Sequence, residues 1–98
     1  MSDKLKDKAL DELFEGILTL KTVEECYAFF EDLCTVVELK DMGQRFQVAK
    51  MLNDGRVYTD ITRETKVSTA TIGRVNRSLN YGSDGYRMVI SRLAESKE

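Results

Sequence analysis

The sequence predicts an all-α fold of about six helices. Its 98 residues include no proline, the residue that most strongly interrupts helices. Apolar residues recur at helical spacing through most of the chain, and no run alternates with the period of two that marks a half-buried strand. Capping-box patterns and glycines divide these runs into separate helices. A chain of this length is expected to form one domain, residues 1–98.

The first two helices are expected to be strongly amphipathic. In the first, over residues 6–20, one face carries Leu10, Leu13, Phe14, Ile17 and Leu18, at the spacing of an apolar helical stripe. The second should begin after Thr22, because Glu25 completes a capping box with it. Its apolar side is broad and consists of Val23, Cys26, Tyr27, Phe30, Leu33 and Cys34.

A second capping box, Thr35 with Glu38, predicts that a third helix begins near Val36. It should end at Asp54-Gly55, since glycine can adopt the left-handed conformation that closes a helix. Its apolar face contains Leu39, Met42, Phe46, Ala49 and Leu52, broadened by Val48 and Met51. The alternative is one unbroken helix of about 32 residues, which exceeds the usual length in globular proteins.

Residues 58–79 are predicted to form a helix-turn-helix. Its apolar residues are Ile61 in the first helix, Val67 at the corner, and Ile72, Val75 and Leu79 in the second. At about 100° per residue, the last three form a narrow seam, and the opposite face carries Ala70, Gly73, Arg74 and Arg77. Ser68 or Thr69 can cap this helix. Small residues and arginines on one face suit insertion into the DNA major groove. The alternative interpretation is an ordinary surface helix that carries two arginines by chance.

A last helix should follow Tyr81-Gly82, capped by Ser83 and bearing Tyr86, Val89, Ile90 and Leu93. The wide apolar faces of the first three helices, in a chain this short, predict a homodimer. Two copies related by a two-fold axis would place their reading helices about 34 Å apart, which matches two half-sites of DNA.

Composition argues against several classes of function. The chain has no histidine, the commonest general base, and no catalytic motif, so it is not expected to be an enzyme. Two cysteines without a CxxC pair predict no metal site. Cys26 and Cys34 are expected to be buried free thiols of a reducing compartment. Without a membrane-length apolar run or a signal-peptide core, a cytoplasmic location with no membrane partner is expected.

Charge is unevenly distributed along the chain. The net charge is −2, but residues 56–80 hold five basic and two acidic side chains, a local net charge of +3. The basic residues are Arg56, Arg63, Lys66, Arg74 and Arg77. Polyanion binding requires a local positive face and not a basic chain. The segregation therefore predicts double-stranded DNA as a partner of the helix-turn-helix.

Five segments also carry a family resemblance: ELFEGILTL (12–20), ECYAFFEDLCTVVE (25–38), GQRFQVAKMLNDG (43–55), STATIGRVNRSL (68–79) and LNYGSDGYRM (79–88). Together they resemble the Trp repressor, and more closely the Trp-repressor-like regulators of the YerC/YecD type. The resemblance covers nearly the whole chain. It implies an intertwined homodimer that acts as a sequence-specific transcriptional regulator. The expected regulator is a repressor that binds a palindromic operator.

The resemblance also implies the DNA contacts. Base edges would be contacted by Ser68, Thr69, Ala70 and Gly73, and phosphates or flanking bases by Arg56, Tyr58, Thr59, Arg63, Lys66 and Arg77. Lys66 stands where many helix-turn-helix motifs have glycine. Either the turn has a different backbone, or Lys66 adopts the left-handed conformation at a cost of about 1 kcal/mol.

A ligand pocket is also implied. Arg45 and Arg74 match the two arginines that enclose tryptophan in the Trp repressor, and Ser78 matches a residue near the amino group of that ligand. Val75, however, replaces a glycine beside the indole ring, and Asp32 replaces an apolar wall residue. Tryptophan is therefore disfavoured, and no cofactor is expected.

Two questions remain open from the sequence. In place of enclosing a ligand, Arg45 could pair with Asp41, and Arg74 could contact DNA directly. As a function, the alternative is a helical protein-interaction module with a vestigial helix-turn-helix, although such a module has no need of a local charge of +3. RNA binding would require exposed aromatic platforms, which the sequence does not indicate.

Overall fold

The computed structural model describes residues 6–96. These residues form six α-helices and contain no strand: α1 Lys8–Ile17, α2 Val23–Leu33, α3 Val36–Asn53, α4 Tyr58–Thr65, α5 Thr69–Tyr81 and α6 Gly85–Ser96. The predicted all-α class and the number of helices are confirmed. Within the same range, no helix is long and apolar enough to cross a membrane. The chain divides into two compact units after Leu39, which lies in the first half of α3.

Helix α1 is shorter than the predicted helix over residues 6–20. The Asp7 carboxylate accepts a hydrogen bond from the backbone N–H of Leu10 at 2.7 Å, so Asp7 is the N-cap and the helix begins one residue later. At the other end, the Thr19 hydroxyl donates to the carbonyl of Gly16 at 2.6 Å. This three-residue turn replaces the helical pattern after Ile17.

The predicted break between α2 and α3 is confirmed. The backbone N–H of Thr35 donates to the carboxylate of Glu38 at 2.8 Å, and the N–H of Glu38 donates to the Thr35 hydroxyl at 3.1 Å. Both bonds favour the charged carboxylate and therefore lower the pKa of Glu38, and the bond from the Thr35 backbone has the larger effect. At Thr22 the box is displaced by one residue, because Glu25 accepts from the N–H of Lys21 at 2.9 Å.

The first unit, as far as Leu39, leaves its apolar residues exposed. Helices α1 and α2 contain no buried residue. We use the term N-terminal apolar face for Phe14, Leu18, Val23, Tyr27, Leu33, Val36 and Val37, all of which are exposed. Cys26 is exposed and Cys34 is half-buried, and both are free thiols. The prediction of free thiols is confirmed, whereas the prediction that they are buried is wrong for the single chain, because α2 buries none of its residues.

The second unit, from Lys40 onward, contains the buried core: Val48, Ala49, Met51, Ile61, Val67, Ile72, Val75 and Leu79. The largest side chains with no exposure are Val48, Ile61 and Ile72, one each from α3, α4 and α5. In α3 the predicted stripe is rotated, since Val48 and Met51 are buried while Met42 is exposed. This core fixes the two helices of the helix-turn-helix against the C-terminal half of α3.

Left-handed backbone marks the end of α3 and the start of α6. Helix α3 ends as predicted, with Gly55 at φ +83°. Helix α6 begins at Gly85, because Asp84 adopts φ +64° and separates Ser83 from the first helical residue. Ser83 is therefore not the N-cap, and this detail of the prediction is wrong.

Candidate nucleic-acid interface

The corner between α4 and α5 is built around a left-handed lysine. Lys66 has φ 63° and ψ 14° and ends α4, which settles the alternative posed by the missing glycine. The buried hydroxyl of Thr65 donates to the carbonyl of Ile61 at 2.7 Å and accepts from the N–H of Val67 at 3.2 Å. The buried side chains of Thr65 and Val67 thus hold the corner, and the Lys66 side chain is exposed.

Helix α5 presents one buried side and one exposed side. Ser68 is its N-cap, and the Ser68 hydroxyl accepts from the N–H of Thr71 at 3.2 Å. The predicted seam of Ile72, Val75 and Leu79 is buried, which confirms the helical phase. The residues expected to face DNA lie on the opposite side, where Thr69, Ala70, Arg74 and Arg77 are exposed and Gly73 is half-buried.

Gly73 leaves the outer side of α5 bare. A Cβ built at this position would meet no atom within 4 Å outside its own helix and its chain neighbours. The fold therefore does not require glycine here, and the backbone of α5 is open to close approach by another molecule.

Acidic residues of α4 neutralise part of the local charge. Arg56 donates to the Glu64 carboxylate at 2.5 Å and lies 3.9 Å from that of Asp60. Arg63 pairs with Asp60 at 2.5 Å. The hydrogen bond that Arg56 donates to Glu64 is the main reason why the pKa of Arg56 is raised. Within residues 6–96, the cations of this region that form no ion pair are Lys66, Arg74 and Arg77.

The other predicted contact residues lie at the start of α4 or just before it. Tyr58 and Thr59 lie in its first turn, and both are exposed. Arg56, just before the helix, is half-buried under its ion pairs.

A cavity of about 780 Å³ lies beside α5 in the second unit. It is lined by Asp41, Gln44, Arg45, Lys66, Val67, Ser68, Thr71, Arg74, Val75, Arg77, Ser78 and Tyr86. The three candidate ligand residues Arg45, Arg74 and Ser78 therefore line one cavity. Val75 is only 3% exposed and belongs to the core. The Arg45 side chain donates to the backbone carbonyl of Asp41 at 3.4 Å. The alternative that pairs Arg45 with Asp41 therefore takes the form of this hydrogen bond and not of an ion pair between the two side chains.

Two features of this region were missed from the sequence. The first is the pairing of Arg56 with Asp60 and Glu64, which the sequence could have indicated because the three residues are spaced four positions apart. The second feature is Arg87, whose guanidinium donates to the side chain of Asn53 at 3.0 Å. These two residues are 34 positions apart, and no local pattern connects them.

Comparison with known proteins gives a consistent result. Residues 8–94 match the family model described as Trp repressor protein. The chain is 54% identical over 95 residues to the uncharacterised protein YerC of Bacillus subtilis strain 168, covering 97% of this chain and 91% of that protein.

Two solved structures have the same fold. A TrpR-like protein from Eubacterium eligens matches with a TM-score of 0.91 and 56% identity, over 95% of this chain and 96% of that chain. A candidate Trp repressor from Staphylococcus aureus matches with a TM-score of 0.90 and 54% identity, over 94% and 92% of the two chains. The Trp-repressor-like chain fold predicted from the resemblance is confirmed.

The left-handed corner makes Lys66→Gly a stabilising substitution. The change should relieve about 1–2 kcal/mol of backbone strain against a loss of about 0.5–1 kcal/mol in chain entropy, so the free energy of unfolding should rise by about 0.75 kcal/mol at the midpoint of these ranges. Urea unfolding followed by circular dichroism measures it. The matched control is Lys66→Ala, which removes the same charge but keeps the strain and should give no gain. Equal stability of the two variants would contradict this account of the corner.

Proposed function

This chain belongs to the Trp repressor family, and we propose that it is a sequence-specific DNA-binding transcriptional regulator, a repressor that binds a palindromic operator as a homodimer. The observation that carries the proposal is the outer side of α5. There, Arg74 and Arg77 form no ion pair within residues 6–96, and Gly73 leaves the backbone open to close approach. This role needs no catalytic step and places the protein in the cytoplasm with the DNA.

The proposed contacts are of two kinds. The N-terminal half of α5, with Thr69, Ala70 and Gly73, enters the major groove and meets base edges. Ser68 joins them at the groove, although its hydroxyl also caps the helix. Phosphates and flanking bases are contacted from the surrounding surface by Arg56, Tyr58, Thr59, Arg63, Lys66, Arg74 and Arg77. Because Arg56 and Arg63 are held by carboxylates, Lys66, Arg74 and Arg77 supply most of the attraction.

The N-terminal apolar face supports the homodimer. Val23, Tyr27 and Val37 are each about two-thirds exposed, and Leu18 is 84% exposed. So many large apolar side chains left exposed mark an interaction site in a protein that otherwise carries many charges. A second copy of the same face covers it in the proposed dimer, which also brings two α5 helices to the operator.

Regulation by tryptophan is not part of the proposal. Arg45, Arg74 and Ser78 line one cavity, but the branched side chain of Val75 occupies the place where the Trp repressor has a glycine beside the indole ring. Arg74 instead contacts DNA, and no corepressor is required.

Binding should depend on Arg77 in a way that salt reveals. Because Arg77 is a phosphate contact with no ion pair to break, Arg77→Met should weaken binding to every duplex and reduce the slope of log K against log salt by about two, one for each protomer of the dimer. Arg63→Met should reduce the slope less, since Asp60 holds Arg63 in the free protein. Fluorescence anisotropy with a random-sequence duplex between about 50 and 200 mM salt measures both effects.

The control for this experiment is Arg92→Met, which removes an exposed arginine of α6 and should leave the slope unchanged. Failure of the unmodified protein to bind any duplex at low salt would overturn the proposal and favour the interaction module.

The dimer should depend on Tyr27. Sedimentation equilibrium should give twice the chain mass of 11.2 kDa, and Tyr27→Asp should shift the mass toward one chain, because it buries a charge in the apolar interface. The control Tyr81→Asp changes a tyrosine that is 87% exposed on α5 and should remain dimeric. A single-chain mass for the unmodified protein would contradict the dimer.

Titration calorimetry with L-tryptophan should show no binding tighter than about 100 μM, or about −5.5 kcal/mol, because Val75 adds a branched side chain where the Trp repressor has a glycine beside the indole ring. The operator affinity should likewise be the same with and without tryptophan. Tighter binding, or a DNA affinity that rises with tryptophan, would restore the corepressor mechanism.

A further inference from the structure

One arginine outside the helix-turn-helix joins the ends of three helices. Arg87 lies in the first turn of α6. Its Nε donates to the carbonyl of Leu79 at 3.2 Å, its Nη2 to the Oδ1 of Asn80 at 2.8 Å, and its Nη1 to the Oδ1 of Asn53 at 3.0 Å. Leu79 and Asn80 belong to the last turn of α5, and Asn53 is the last residue of α3. One guanidinium thus bonds the C-terminal ends of both helices to α6.

The chemistry of these bonds favours arginine over other residues. The last carbonyls of a helix have no partner within the helix, and a cation placed there also interacts favourably with the helix dipole. The planar guanidinium offers five donors in a fixed fork, so it can bond three acceptors in different directions at once. A lysine at this position would keep the charge, but its single flexible ammonium cannot reproduce the fork.

The bonds continue from Arg87 toward the outer side of α5. The Nδ2 of Asn80 donates to both the carbonyl and the Oδ1 of Asn76, each at 2.9 Å. At about 100° per residue, Asn80 lies within about 20° of Gly73 and about 60° of Arg77 around the helix axis. The network therefore holds the flank of the surface that meets DNA in the proposed function.

We propose that Arg87 is a positioning residue for DNA recognition: through Asn53 and Asn80 it fixes the direction in which α5 presents Gly73 and Arg77. The inference rests on the proposed DNA-binding function. Arg87 acts on the orientation of the helix and not by contacting phosphate. Its loss therefore reduces the preference for one sequence over another more than it reduces the general attraction to DNA.

The test compares specificity with salt dependence. The unmodified protein first selects its preferred duplex from a random-sequence library. Affinities for that duplex and for a shuffled duplex are then measured at several salt concentrations. For Arg87→Met the ratio of the two affinities should fall about tenfold, comparable to one mismatched base pair, while the salt slope stays unchanged. Arg87→Lys should show a similar fall, because it keeps the charge without the fork.

Two further variants connect the effect to the network. Arg92→Met, which removes another exposed arginine of α6, should keep the full ratio. Asn53→Ala lies on α3, outside the proposed DNA surface, and should lower the ratio in part. Combined with Arg87→Met it should add little, because the two residues act as a pair. Circular dichroism establishes which variants are folded, and Arg87→Lys and Asn53→Ala carry the test if Arg87→Met is not.

Salt slope, specificity ratio and stability together distinguish a positioning role of Arg87 from a phosphate contact and from a purely structural role. A salt slope reduced by about two, one for each protomer, with an unchanged ratio would make Arg87 a phosphate contact and overturn the positioning role. Lower stability with an unchanged ratio would make it a purely structural residue, which also overturns the inference. If the unmodified protein selects no duplex, the proposed function fails, and this inference fails with it.

Discussion

Burial of Val48, Ile61 and Ile72 is the constraint on which the second unit depends. Each comes from a different helix, and none has any exposed surface. Fully burying a side chain of this size contributes about 1.5–3 kcal/mol, so these contacts fix which side of α4 and of α5 faces inward. Once that phase is set, the helical repeat leaves no choice about the outer side. The side chains of Arg74 and Arg77 and the backbone of Gly73 lie on the outer side because Ile72 and Val75 face the core.

Local patterns predicted much of this from the sequence. The helical repeat placed the seam of α5 correctly, and the capping box at Thr35 identified the break before α3. Family resemblance added the chain fold and identified Lys66 as the unusual residue of the corner. These features depend on residues no more than about four positions apart, or on a motif of fixed length. Both kinds of signal can be recognised in the sequence alone.

Other features depend on contacts that the sequence does not encode locally. The rotation of the α3 stripe toward Val48 follows from where α4 and α5 pack, and the bond between Arg87 and Asn53 joins distant positions. The exposure of Cys26 has the same origin, since an apolar pattern shows that a residue can be buried but not which surface covers it. The local net charge of +3 already counts Asp60 and Glu64, but the sequence does not show that these two carboxylates hold Arg56 and Arg63 and leave the other three cations of the segment without an ion pair within residues 6–96.

The bare backbone at Gly73 has a consequence for how stability is distributed in this protein. Glycine inside a helix costs about 0.5–1 kcal/mol relative to alanine, and an added methyl group at this position meets no obstacle in the isolated chain. Gly16 and Gly43, on α1 and α3, are open in the same way. Alanine at Gly16, Gly43 or Gly73 would thus make the single chain more stable, because nothing inside the chain requires glycine at these three positions. For protein engineering, alanine at these glycines offers added thermostability that folding of the chain does not oppose, and the proposed dimer and DNA interface are the places where its use would have a cost.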